Sequence, residues 1–130
     1  MPIINRIADY QEELTVWRRY LHQNPELGFE EFKTCDFVAN KLEDMGLSVH
    51  RGLAGTGVVA TLVSGDGTGG SIALRADMDA LPLQEKGSIA HRSETPGKMH
   101  ACGHDGHTTM LLGAAKYLSE TQNFKGTVQF

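Results

Sequence analysis

Long apolar runs are missing from this chain. Nowhere do about 18 apolar residues follow one another, the length a membrane-spanning helix needs, so no membrane role is read from it. Basic runs are missing too. No stretch of Lys or Arg exceeds Arg18-Arg19, and 12 basic residues against 16 acidic ones leave a formal charge of −4. A nucleic-acid groove or a face for an anionic membrane needs the opposite balance. Cysteine is scarce: Cys35 and Cys102 can form at most one bridge, which excludes a disulfide framework. The start, Met1-Pro2-Ile3-Ile4-Asn5-Arg6, lacks the basic stretch and apolar run of an export signal. The expectation is a cytoplasmic protein with both thiols reduced. Internal repeats and low-complexity tracts are also lacking.

What is present is ordinary globular material. The 130 residues are 40% hydrophobic and 22% charged, enough for one domain with a real core and too apolar for disorder. Ile3, Ile7, Tyr10, Leu14, Trp17 and Leu21 recur at steps of three and four, which predicts an amphipathic helix ending near Asn24-Pro25. Phe32, Cys35, Val38, Ala39, Leu42 and Met45 predict a second helix from about Glu30, capped by Gly46. On that stripe Cys35 reads as a small buried core residue. His50 and His91 stand alone and read as solvent-exposed.

Strands are predicted at Leu47–His50, Gly57–Val63, Ser71–Ala76 and from Gly126 onward, with a helix over Thr108–Ser119. Gly65, Gly67 and Gly70 spell a dinucleotide-binding fingerprint, but that motif must open a helix and here a strand follows. A hairpin connection is the expectation instead. The order of strands and helices indicates an α/β fold with a crossover unit. Ligands in such folds bind beyond the carboxyl ends of strands. That directs attention to Asp77–Met99, a stretch without periodicity and too long for a plain connection.

Three stretches carry candidate chemistry. Met99–His107 packs His100, Cys102, His104, Asp105 and His107 into eight positions, with Gly103 and Gly106 allowing tight geometry. Thiolate and imidazole suit zinc and similar divalent ions. A polar loop before a helix, with Asp105 as its cap, is the competing explanation. In Arg75–Pro82, Asp77 and Asp79 lie two apart at a strand end and project the same way. Such carboxylates serve as ligands, orient a histidine or a metal-bound water, or decorate a polar turn. His22–Glu31 by itself is a link between two helices with a surface histidine.

In combination these stretches resemble a known family. Trp17–Glu31, Gly55–Ala60, Arg75–Pro82, Pro96-Gly97 and Met99–His107 are similar, in order, to the M20 metallopeptidase clan. The likeness is to the amidohydrolase branch that holds hippurate hydrolases, N-acyl-amino-acid amidohydrolases and auxin-conjugate hydrolases, and it covers essentially the whole chain. It implies the N-terminal part of a zinc-peptidase-like catalytic domain, a mixed sheet flanked by helices. It implies two divalent metal ions (zinc, manganese, cobalt or nickel) and hydrolysis of the amide bond of small N-acyl amino acids or peptides. Residue by residue, it makes Cys102 and His104 metal ligands and gives Asp79 a catalytic role in supporting the metal site. Asp77 stands where other clan members place a ligating histidine, and His107 and Asp105 become ligands or residues that orient them.

The same resemblance places the general base, in a Glu-Glu pair, beyond Phe130. The remaining ligands and a smaller dimerisation domain would follow there, so residues 1–130 would be an inactive part of a homo-oligomeric enzyme. Two other readings compete. One is a cysteine nucleophile with a histidine base, for which Cys102 and His104 stand too close in sequence. The other is a non-catalytic metal-binding or scaffold domain.

Overall fold

The computed structural model describes residues 4–130. Ile3, the first position of the predicted N-terminal helix, lies outside the described residues. The elements run α1 (Asn5–Ala8), α2 (Gln11–Gln23), α3 (Phe32–Asp44), β1 (Ser48–Leu53), β2 (Gly57–Ser64), β3 (Ser71–Ala73), α4 (His104–Thr121) and β4 (Gly126–Gln129).

The sheet is mixed, in the order β1-β2-β4-β3. β2 pairs antiparallel with β1 and with β4, while β3 runs parallel to β4. Along β2 the side chains of Ala60 and Leu62 turn inward, and Val63 between Leu62 and Ser64 is exposed. That alternation follows from the two-residue period of a strand. The inward set meets Val128 and Phe130 from the β4 region, Val38 and Leu42 from α3, Leu112 and Ala115 from α4, and Trp17 from α2. Each such aliphatic side chain contributes roughly 1.5–3 kcal/mol when fully buried. α2 approaches α4 closely at Gly113, where an added Cβ would lie 3.1 Å from Leu14 Cδ1.

Several expectations are corrected here. The first helix is broken at Asp9-Tyr10 into α1 and α2. Both pieces keep one apolar stripe, so periodicity does not reveal the break. β2 and β3 do not form a hairpin, because β4 inserts between them. The glycines between them serve close approach instead. A Cβ on Gly69 would sit 2.1 Å from the carbonyl oxygen of Lys125, and one on Gly126 would sit 2.3 Å from that of Gly70. Finally, α4 starts at His104 rather than Thr108. Gly103, at φ 82°, makes the left-handed turn into it, so His104, Asp105 and His107 belong to its first turns. Cys35 is buried on α3 and His50 is exposed, as the helix stripe and the isolated position indicated.

Candidate functional site

The long stretch after β3 is held in place by backbone pairing. Ala80 donates to the Glu26 carbonyl at 2.7 Å, Leu81 and Met99 exchange hydrogen bonds at 2.9 and 3.0 Å, and Glu94 donates to Gln23 at 2.8 Å. The link between α2 and α3 is therefore a scaffold for the Asp77–Met99 stretch. Its own acidic residues are occupied. The Glu26 carboxylate accepts from the backbone of Lys33 and Thr34 and from the Thr34 hydroxyl, closing the N-terminal turn of α3. Buried Glu31 accepts from the Thr56 hydroxyl at 2.7 Å. No α3 cap comes from its own N-cap side chain, so Glu26 does that work from a distance.

This scaffold sets Asp77 and Asp79 against the first turns of α4. His104 Nδ1 lies 2.9 Å from both the backbone oxygen and Oδ1 of Asp79. Both partners are acceptors, so Nδ1 is the donor in these contacts. Asp77 Oδ2 lies 3.5 Å from that Nε2, and Asp77 Oδ1 lies 2.7 Å from His107 Nδ1. The Thr108 hydroxyl fixes the Asp77 backbone oxygen at 2.9 Å. The hydrogen bond from His107, with further help from His104, holds the Asp77 carboxyl below the usual carboxylate range. Among the described residues, Asp77, His104 and His107 offer ligand atoms all within 4.8 Å of one another. Two imidazoles beside a carboxylate are a donor set suited to a zinc-like ion.

The remaining candidates fall elsewhere. Cys102 is exposed, two residues before α4, and is not one of those three convergent residues. Asp105 does not cap α4. It is buried with only 1% of its side chain exposed, and its Oδ2 meets His22 Nδ1 at 2.8 Å and Arg18 Nε at 3.2 Å. His22, expected on the surface, is likewise buried. Its Nε2 faces the Glu85 carboxylate at 3.4 Å, and Glu85 also accepts from the Ser93 backbone at 2.6 Å. These bonds, the one from Ser93 first, hold Glu85 below the usual carboxylate range. His100 is buried nearby, with rings 6.4 Å apart from His22, and burial pushes its pKa down.

This second polar cluster escaped sequence reading. His22 falls where the α2 stripe ends, and Glu85 sits in a segment without period, so no spacing rule links them. The cluster is not an efficient stabiliser. Both ring nitrogens of His100 and Oδ1 of Asp105 are buried without a protein partner. Each such group costs about 1–3 kcal/mol.

Comparison with known proteins bears on the same residues. The family model described as peptidase family M20/M25/M40 matches residues 73–130. A hippurate hydrolase of Campylobacter jejuni is 50% identical over 98% of this chain and 33% of its own length. An N-acyl-L-amino acid amidohydrolase of Geobacillus stearothermophilus is 46% identical over 98% of the chain and 35% of its own length. Among solved structures, a dinuclear metal-binding M20 peptidase of Bacillus subtilis superposes with a TM-score of 0.88 at 39% identity, covering 95% of this chain and 34% of that one. The chain thus spans about a third of the length of the relatives it matches.

Proposed function

We propose that the chain, whose residues 73–130 match the M20/M25/M40 peptidase family model, is the N-terminal part of the catalytic domain of a metal-dependent amidohydrolase of that family. The substrates are small N-acyl amino acids or related amides. The relatives named above are hydrolases of such amides, and one solved neighbour is described as binding two metal ions. The observation that carries the reading is the approach of Asp77 and Asp79 to His104 and His107 at the mouth of α4.

In this reading Cys102 and His104 hold the metal. Asp79 orients His104 through Nδ1, which leaves Nε2 directed away from its hydrogen-bonded side. Asp77, whose ligand atom lies within 4.8 Å of that of His104, would be a further ligand and is itself steadied by His107. Asp105 acts on the site only through the helix it belongs to. A bound divalent metal would lower the pKa of its water and polarise the amide carbonyl. The chain's own residues supply fixed ligands, fixed ring orientation and two negative charges. The full-length protein is expected to be a homo-oligomer in the cytoplasm. No described helix is long and apolar enough to cross a membrane.

The test is to assay the full-length protein against N-acetyl and N-benzoyl amino acids with zinc, manganese, cobalt or nickel supplied. Release of the free amino acid is the expected result. No hydrolysis of any substrate with any metal would overturn the reading. A non-catalytic metal-binding domain would then be indicated by metal uptake without turnover.

A further inference from the structure

We propose that His22 is a positioning residue for the metal site, holding the first turn of α4 in register with the scaffold that carries Asp77 and Asp79. The inference rests on the metal reading above and concerns a residue that neither ligates nor touches substrate in it. The imidazole has only 5% of its surface exposed, and each of its nitrogens faces a different element. Nδ1 reaches Asp105 Oδ2 at 2.8 Å, and Asp105 is the residue directly after His104. Nε2 faces Glu85 at 3.4 Å, in the long stretch that also supplies Asp77 and Asp79. Arg18, one turn earlier on α2, reaches the same Asp105 oxygen at 3.2 Å.

Beyond the bonds of His104, His107 and Thr108 to the Asp77–Asp79 segment, the first turn of α4 has as its side-chain anchor the contact of buried Asp105 with His22 and Arg18. Its N-cap is Gly103, which makes no side-chain cap hydrogen bond. The grip of α2 on Asp105 is a second hold on the direction of that turn, and so on His104 and His107, from the side away from Asp77 and Asp79 in sequence. The Glu85 arm matters less to the site. Asp79 is already pinned next door by the Ala80–Glu26 backbone bond, and Leu81 by its pairing with Met99.

The two arms can be separated chemically. The amide nitrogen of asparagine takes the place of a histidine Nδ1, and that of glutamine the place of Nε2. His22→Asn therefore keeps the Asp105 arm, and His22→Gln keeps the Glu85 arm. The experiment uses the full-length protein, stripped of metal and titrated with cobalt(II), whose visible absorption reports ligand geometry independently of turnover. Loss of a residue that orients ligands typically costs 10–100-fold in metal affinity. His22→Gln is expected to show that loss and an altered cobalt spectrum, while His22→Asn stays within about threefold of wild type. Asp105→Ala removes the same bond from the other side and should resemble His22→Gln, which keeps the test sound if one variant fails to fold. Wild-type cobalt affinity and spectrum in both His22→Gln and Asp105→Ala, whatever their melting temperatures, would overturn the proposal. So would equal losses in His22→Asn and His22→Gln. A wild-type protein that takes up no cobalt would instead overturn the metal reading itself.

Discussion

Replacing Asp79 should separate the chemistry of the site from its folding. The side chain is 38% exposed and makes one hydrogen bond, from His104 Nδ1 at 2.9 Å. The same N–H is shared with the Asp79 backbone oxygen, also at 2.9 Å. Removing the carboxylate therefore leaves His104 Nδ1 with a partner. A shared, partly exposed hydrogen bond contributes about 0.5–1 kcal/mol net. That corresponds to a fall in melting temperature of no more than about 2–4 °C in the full-length protein. Metal affinity should respond more. Asp79→Asn keeps an acceptor at Oδ1 but loses the charge that makes the His104 ring a better ligand. Asp79→Ala loses both. Losses of about 10-fold for Asn and 100-fold for Ala are expected, or about 1.4 and 2.7 kcal/mol. The assay pairs thermal unfolding of the metal-free full-length protein with zinc titration against a competing chelator. Unchanged zinc affinity in Asp79→Ala would refute the reasoning, as would a melting temperature lowered by tens of degrees with normal affinity.

Three further outcomes are expected. Cys102→Ser should remove most of the bound metal and activity of the full-length protein while leaving its unfolding midpoint nearly unchanged, because this cysteine is exposed; retention of metal and turnover would remove Cys102 from the ligand set. Gly69→Ala should destabilise the fold by about 1–3 kcal/mol in urea unfolding, since its Cβ would meet the Lys125 carbonyl oxygen at 2.1 Å and backbone cannot swing away as a side chain can. Acid should weaken the anchoring of the 77–99 stretch through Glu85. Its folded pKa lies below the unfolded value, so its contribution is complete above about pH 4.3 and fades as pH falls through the lowered value. Glu85→Gln should flatten that limb of a stability-against-pH profile, and an unaltered acid limb would show that the contact carries nothing.

Much of this architecture could be read from spacing alone. The apolar stripes of α2 and α3 announce themselves at helical period, and the β-branched run Val58-Val59 and Thr61 marks the central part of β2. The two acidic positions Asp77 and Asp79 and the histidines around Gly103 were recognisable as chemistry-bearing because their types and spacing suit metal binding, although β3 stops at Ala73, short of the expected Ala76, so that both aspartates lie in the stretch after the strand and not at its end. The structure brings the two groups together at hydrogen-bonding distance. What spacing could not supply was the partner of each strand and each buried polar group. β4 enters between β2 and β3 from the far end of the chain, so a local pattern of strand, glycines and strand read as a hairpin. His22 looked like a surface residue because its partner Asp105 is 83 positions away. Long-range polar pairing leaves no periodic trace, and those are the contacts that orient the candidate site.

The most direct test of the central claim is metal dependence of amide hydrolysis in the full-length protein. Metal would be removed by chelation and dialysis, zinc or manganese added back in steps, and bound metal and initial rate on an N-acyl amino acid measured on the same samples. The expected result is no turnover in the stripped protein and a rate that rises with bound metal until the site is filled. Full turnover by protein shown to contain no metal would contradict the account.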